Sequence, residues 1–164
     1  MHEVVCNASP LIFLAKIGQI NLLDNYTLYI PSQVELEIKN GVKRKKEDAQ
    51  LILRYLKSKN IISYRVTILK DLPEFLGDGE KAVISLAVRK NIERVFIDES
   101  KARNVARFKG LNPKETLGIL WDLYKNCKLD KIKVEALLLE LIEKGYRIKE
   151  EIFIEFLKKF RTSD

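Results

Sequence analysis

The sequence has very little histidine or cysteine, with one histidine and two cysteines among 164 residues. His2 lies near the first residue, so paired-histidine acid-base catalysis, Ser-His triads and histidine-rich zinc sites are excluded almost entirely. Cys6 and Cys127 are far apart and have neither a metal-binding nor a redox spacing. We therefore expect a reduced, intracellular protein, in which any catalysis uses carboxylates, lysines, hydroxyls or a bound metal.

Long hydrophobic runs, internal repeats and low-complexity linkers are also absent. No apolar window approaches the length of a membrane span. Asn7, Ser9 and Pro10 interrupt the first apolar stretch, which argues against a signal peptide. We expect a cytoplasmic protein with no membrane partner, organised as one domain over residues 1–164. A chain of this length buries a core without disulfide bonds.

Positive charge is what the sequence has in excess, because Lys and Arg total 30 against 23 acids, a formal net charge of +7. Such a surface favours anionic partners, among which nucleic acid is the main class. A high content of charged residues also occurs in heat-adapted proteins for reasons of stability. Charge alone therefore does not decide between these explanations.

Strand-like and helix-like segments alternate along the first two-thirds of the chain. The strand-like segments are residues 3–6, 27–30, 61–69 and 94–97. The helix-like segments between them are residues 10–17, 20–26, 31–41, 42–60, 80–90 and 99–108. Three further helices follow within about residues 115–160. This order predicts an α/β fold in which helices flank a parallel sheet and a C-terminal helical tail packs on it.

Local capping signals give the expected helix ends. Ser9 is the expected N-cap of the first helix, with Pro10 at its first position. Asn40 and Gly41 are expected to close the helix that follows the second strand. The next helix, over residues 42–60, is expected to have a strongly basic start.

Several polar residues follow the predicted strands or begin the predicted helices. Ligands of open α/β sheets bind beyond the carboxyl ends of the strands, which favours a site there. Each residue also has a structural explanation: Asn7 as a turn former, Asp98 as a helix cap, and Glu80 as a first-turn acid. Asp78 is the better cap candidate beside Glu80. Helical periodicity does not choose between Glu35 and Glu37.

Taken in order, five segments resemble the PIN-domain superfamily, in particular a PIN-like branch of prokaryotic proteins related to VapC-type toxins. They are "VVCNASPLIFLAKIG", "YIPSQVELEI", "GDGEKAVISLA", "VFIDESKAR" and "ETLGILWDLYKNCKL", and the resemblance extends over nearly the whole chain. It implies a Rossmann-like sheet and a metal-dependent ribonuclease with acids clustered at the carboxyl edge of the sheet.

The resemblance also implies roles for individual residues. The catalytic acids fall on Glu37, Glu80 and Asp98. These three, with Asn7 and Glu99, form the implied metal site, and a small polar supporting residue falls on Ser9. The implied cofactor is Mg²⁺ or Mn²⁺, which are hard cations that take oxygen ligands.

Basic residues near these acids are candidates for binding single-stranded RNA. Four of these candidates lie in "KNGVKRKK" (39–46), a segment with five basic residues that either contact the phosphate backbone or form a solvated helix start. Arg103 and Arg107 either reach phosphate or pair with Glu99. The RNA-binding candidates are Lys43, Arg44, Lys45, Lys46, Arg103 and Arg107.

The leading hypothesis is a metal-dependent endoribonuclease, for which the toxin of a toxin-antitoxin pair, with an antitoxin protein as partner, is one biological setting. The alternative is a catalytically weak PIN-like domain that binds RNA or a protein without cleavage. Asn7 separates the two, because it supplies an oxygen but no charge. A nucleotide-binding module has little support, since "GDGEKA" lacks the phosphate-loop lysine and hydroxyl spacing.

We also expect a homodimer. The helices around Trp121 and residues 137–141 carry more apolar surface than the tail of a monomer needs, and members of the resembling family commonly pair. Trp121 and Tyr124 are expected in the core or in this dimer contact.

Overall fold

Five parallel strands form one sheet in the computed structural model, which describes residues 1–162, and their order is β3-β2-β1-β4-β5. The strands are β1 (His2–Cys6), β2 (Tyr26–Pro31), β3 (Ser63–Tyr64), β4 (Arg94–Phe96) and β5 (Asn112–Lys114). The helices are α1 (Ala8–Lys16), α2 (Ser32–Lys43), α3 (Glu47–Ser58), α4 (Asp78–Lys90), α5 (Ser100–Phe108), α6 (Thr116–Lys125), α7 (Lys131–Glu143) and α8 (Glu150–Thr162), with a 3₁₀ turn at Ile20–Asn25. The expected α/β fold with a C-terminal helical tail is confirmed.

The central strands are buried, as their apolar sequences require. Val4, Val5 and Cys6 of β1 and Val95 and Phe96 of β4 are at most 2% exposed. Short continuous apolar runs of this kind are typical of parallel strands with helices on both faces. The hydrophobic core around these strands extends into the tail helices.

Strand register determines where the chain leaves the sheet. Cys6 of β1 pairs with Phe96 of β4, and the Asn7 amide donates to the Phe96 carbonyl at 3.0 Å. The residues that follow β1 and β4 therefore emerge side by side at the carboxyl edge. Parallel strands end at the same edge of a sheet, and this juxtaposition is the basis of the site described below.

The strand expected over residues 61–69 is much shorter in the structure, because only Ser63–Tyr64 pairs with β2. The rest of the segment obtains backbone hydrogen bonds from side chains of α4. Arg89 Nε donates to the Thr67 carbonyl at 2.6 Å, and the Leu69 amide donates to Ser85 Oγ at 2.9 Å. The apolar pattern therefore packs against a helix without a strand ladder.

The helix boundary expected at Asn40 and Gly41 is wrong, since α2 continues to Lys43. A methyl group on Gly41 would lie 2.8 Å from the Ala49 Cβ, so this glycine permits close packing of α2 against α3. The basic residues after it do not begin a helix. Lys45 has a positive φ of 59°, and α3 starts only at Glu47.

Strand β5 was not expected from the sequence. It contains Pro113, which has no amide hydrogen and is tolerated mainly on an edge strand. The strand order makes β5 an edge strand of the sheet, with β4 as its only neighbour among the five strands.

The three tail helices pack through aromatic and leucine side chains. Trp121 of α6 contacts Phe156 and Phe160 of α8, with ring centroids 5.7 and 6.4 Å apart. Leu137, Leu138 and Leu141 of α7 are buried. Within residues 1–162, no helix combines the length and apolar character needed to cross a membrane.

Candidate metal centre

A cavity of about 340 Å³ opens beyond the carboxyl ends of β1 and β2, and we call it the acid pocket. Its wall combines the end of β1, one face of α2 and the first turn of α4. The lining residues are Asn7, Gln33, Leu36, Glu37, Asn40, Gly77, Asp78, Gly79 and Glu80. The structure thus places Asn7, Glu37 and Glu80 in the wall of one pocket.

Asn7 stands at the N-cap position of α1, but its side chain makes no capping hydrogen bond. The residue is buried, and its Oδ1 has no hydrogen-bond partner within residues 1–162. Leaving a buried polar atom unpaired costs about 1–3 kcal/mol. Asn7 is therefore held for a purpose other than capping.

One carboxylate oxygen of Glu80 accepts a hydrogen bond and the other does not. Gly77, the N-cap of α4, donates its amide to Glu80 Oε1 at 3.3 Å, so Gly77 takes the cap position expected for Asp78. The second oxygen, Oε2, is buried without a partner among the described residues. The acid pocket consequently contains two unpaired, buried oxygens, one from Asn7 and one from Glu80.

The structure separates the two glutamates of α2. Glu37 lines the acid pocket at its exposed rim. Glu35 faces away from it and pairs with Lys39 at 3.1 Å. Glu37 is therefore the glutamate on the site side of the helix.

The pKa values of both pocket glutamates are raised. Partial desolvation of the carboxylate is the cause for Glu37, and desolvation by burial is the largest cause for Glu80. The Gly77 hydrogen bond lowers the pKa of Glu80, while the negative charges of Glu99 and Glu37 raise it further. These carboxylates are close enough to repel one another, and a bound cation would relieve that repulsion.

Gly79 has no side chain to fill the space beside the Asn7 and Glu37 oxygens. A methyl group at Gly79 would lie 3.0 Å from Asn7 Oδ1 and 3.4 Å from Glu37 Oε2. A side chain at this position would therefore crowd the oxygens of Asn7 and Glu37.

The donors of the acid pocket fit a hard divalent cation. They are all oxygens, two of them buried and unpaired, which suits Mg²⁺ or Mn²⁺ with several retained waters. Glu37, Glu80 and Asn7 supply them. Asp78 also lines the pocket, but no group of three or more His, Cys, Asp or Glu side chains that could hold a metal ion occurs within residues 1–162. The site thus has a lower negative charge than a cluster of three carboxylates.

Asp98 follows β4 at the same edge, but it is not among the residues that line the acid pocket. Its Oδ1 accepts hydrogen bonds from the Thr116 amide at 2.8 Å and the Tyr146 hydroxyl at 2.9 Å. Its Oδ2 accepts from Ser9 Oγ and Thr116 Oγ1, both at 2.8 Å. Both oxygens are fully engaged in joining β4 to α1, to α6 and to Tyr146, which precedes α8.

The capping expectation for Ser9 and the capping alternative for Asp98 are both wrong. The N-cap of α5 is Glu99, whose side chain accepts from the Lys101 amide at 3.3 Å, so Asp98 does not cap this helix. Ser9 lies inside α1 and binds Asp98, because the helix begins two residues earlier than the Ser-Pro pair suggests. Glu99 is exposed and acts on the pocket through its charge.

The basic candidates occupy two different places. The first group is exposed where α2 leads into α3, one to two turns beyond the acid pocket, and comprises Lys43, Arg44, Lys45 and Lys46. Arg103 and Arg107 line a separate cavity beside β5. Arg103 is buried, donates to the carbonyls of Ile97 and Asp98, and lies 3.7 Å from Glu115. Its guanidinium is therefore occupied by the protein itself.

Several residues of the site were not identified from the sequence. Gly79 is one, although "GDGE" at a helix start is a visible signal of close approach. Thr116 and Tyr146 are distant in sequence from Asp98, and no local pattern connects them. The others are Gln33, Leu36 and Asn40 on α2. Their helix face differs from an ordinary solvated face only in that it exposes an apolar side chain, Leu36.

Comparison with known proteins gives one positive result. A family model described as a PIN domain matches residues 3–162. No curated protein matches the chain. The match extends from β1 to the end of α8 and therefore includes every residue of the acid pocket.

Proposed function

Because this chain belongs to the PIN-domain family, we propose that it is a divalent-metal-dependent endoribonuclease that cleaves single-stranded RNA. Asn7, Glu37 and Glu80 would hold the Mg²⁺ or Mn²⁺. The observation that carries the proposal is the pair of buried, unpaired oxygens, Asn7 Oδ1 and Glu80 Oε2, in a pocket shared with Glu37.

A bound Mg²⁺ or Mn²⁺ supplies charge that polarises the scissile phosphate and lowers the pKa of a coordinated water. Asn7 and Glu80 orient the site, since one is buried at the end of β1 and the other is fixed by its bond to the Gly77 amide. Glu37 is the group best placed to accept the proton of the attacking water. It lies at the open rim of the pocket, where an attacking water can reach its carboxylate.

Asp98 acts as a positioning residue in this proposal. The four hydrogen bonds of Asp98 fix the chain just after β4. Phe96, two residues before Asp98, accepts a hydrogen bond from the Asn7 amide. Disturbing Asp98 would therefore shift the backbone that places Asn7.

The proposed biological setting is the cytoplasm, and the toxin of a toxin-antitoxin pair is one role that fits such a nuclease. A homodimer is part of the proposal. Ile132, Leu139 and Ile142 are 81%, 59% and 42% exposed and share one face of α7, which would be covered in the dimer.

A second function has its own support. Asn7 contributes no negative charge, so a domain that binds RNA or a protein without cutting is the competing proposal. The two proposals differ in whether the acid pocket binds Mg²⁺ or Mn²⁺ tightly enough for RNA cleavage.

The deciding experiment measures Mn²⁺-dependent cleavage of single-stranded RNA by wild type, Glu80→Gln and Glu35→Gln. Glu35 is the matched control, because it is on α2 but pairs with Lys39 outside the pocket. We expect cleavage by wild type and Glu35→Gln, and a loss of about 100-fold or more for Glu80→Gln. RNA binding without cleavage by wild type would support the second function, and full activity of Glu80→Gln would refute the metal site.

A further inference from the structure

We infer that one face of α2 is the surface that contacts the RNA bases beside the cut, with Gln33 and Asn40 reading the base edges. This inference rests on the proposed function and extends it to the substrate. We call the surface the α2 face, and it consists of Gln33, Leu36, Glu37, Asn40, Lys43 and Arg44.

Helical geometry places these residues in one stripe. At 100° per residue they fall within an arc of about 120°, opposite the buried Val34 and Ile38. The rise of the helix separates Gln33 from Arg44 by about 16 Å, a length that a few nucleotides can follow. The stripe thus runs from the wall of the acid pocket to the basic residues after it.

Two amide side chains of the α2 face have unused hydrogen-bonding groups. The Gln33 Oε1 accepts from Ser32 Oγ at 3.2 Å, and its amide nitrogen has no partner within residues 1–162. The Asn40 side chain forms no hydrogen bond in the same part of the chain. Both line the acid pocket beside Glu37. A carboxamide offers a donor and an acceptor together, which matches the N7 acceptor and N6 amino donor on the Hoogsteen edge of adenine, where uracil presents only an acceptor.

The remaining residues of the α2 face suit the other parts of a nucleotide. Leu36 is 57% exposed at the pocket wall, where it offers an apolar surface to a base or ribose. Lys43 and Arg44 are exposed and form no ion pair within residues 1–162, so their charges remain available to phosphates. Sequence-specific recognition of RNA uses unstacked bases of single strands, which such a groove can accept.

Lys39 is the matched control. It belongs to α2 and is exposed and positively charged, but it lies off the stripe and is paired with Glu35 at 3.1 Å. A variant at Lys39 removes one charge from the same helix without touching the α2 face.

The test measures the affinity of labelled single-stranded RNAs that are adenine-rich or uridine-rich, in Ca²⁺ and without divalent cation. The proteins are wild type, the double variant Gln33→Ala and Asn40→Ala, and Lys39→Ala. We expect the double variant to lose about five- to 100-fold in affinity for the adenine-rich strand and much less for the uridine-rich strand. Lys39→Ala should bind both strands within about twofold of wild type. Circular dichroism checks folding, and alanine is favourable in helices.

An equal loss for both strands, or none, overturns the base-reading role of the α2 face. If wild type cuts RNA while the double variant binds both strands like wild type, the proposed nuclease stands and this inference fails. If wild type cuts nothing but shows the base-dependent loss on substitution, the nuclease fails and the RNA-binding face stands. Failure of wild type to bind either strand overturns the inference.

Discussion

Replacing Gly79 by alanine should block the metal centre while leaving the fold intact. The added methyl group would lie 3.0 Å from Asn7 Oδ1 and 3.4 Å from Glu37 Oε2, inside the space proposed for the ion. Gly79 does not have a positive φ, so alanine meets no backbone strain there. In a helix interior alanine is favoured over glycine by about 0.8–1 kcal/mol, and less is gained in a first turn.

The expected magnitudes separate stability from binding. The small gain from alanine opposes the cost of moving Asn7 Oδ1 by a few tenths of an ångström, so the free energy of unfolding without metal should change by no more than about 1 kcal/mol. Metal affinity should fall by at least the 10- to 100-fold that loss of a supporting group costs at metal sites. At 100 times the dissociation constant of wild type, Mn²⁺ stabilises that protein by about 2.7 kcal/mol. A variant that binds 100-fold more weakly would gain only about 0.4 kcal/mol.

The assay is urea unfolding of wild type and Gly79→Ala, each with and without Mn²⁺. Gly118→Ala is the matched control, because a methyl group there meets only Lys114 side-chain atoms at 3.4 and 3.6 Å. Gly118→Ala should keep the full stabilisation by Mn²⁺. Equal stabilisation of Gly79→Ala and wild type would refute the reasoning.

Three other predictions follow from the same contacts. The pKa of Glu80 is raised, so its protonated form is favoured in the folded state. The stability of metal-free wild type relative to Glu80→Gln should therefore fall as pH rises from the ordinary glutamate range through that raised pKa. Urea titrations between about pH 4 and 8 that show a constant difference in stability would contradict this. Asp98→Asn replaces an acceptor of two hydroxyl donors by a donor and should cost about 2–4 kcal/mol, measured by urea unfolding, whereas a neutral effect would mean that the hydrogen bonds contribute little. Leu139→Glu on the exposed face of α7 should convert a dimer into a monomer in light scattering, and a monomeric wild type at micromolar concentration would remove the dimer proposal.

Much of the fold could be predicted because its central elements are locally encoded. The runs around Val4 and Val95 are buried on both faces, and their neighbouring helices have clear periodicity. Residues 61–69 carry an equally strong strand pattern, but Arg89 and Ser85 bond their backbone in place of a neighbouring strand. Such tertiary contacts leave no local signal.

The candidate site was predictable in part for the same reason. A strand end and a helix start were enough to place Asn7 and Glu80 at one edge, whereas Glu37 was assigned through the family resemblance. The four donors of Asp98 come from Ser9, Thr116 and Tyr146, up to 89 residues away, so its hydrogen-bonded role required the structure. The choice between Glu35 and Glu37 also depended on how α2 is rotated against the sheet.

The central claim is that Asn7, Glu37 and Glu80 together bind one divalent ion. Calorimetric titration of Mn²⁺ into wild type, Asn7→Asp and Glu80→Gln tests it most directly. We expect one site in wild type, tighter binding by about tenfold or more in Asn7→Asp because a third carboxylate joins the site, and no measurable binding in Glu80→Gln. Equal Mn²⁺ affinity in all three proteins would contradict the claim.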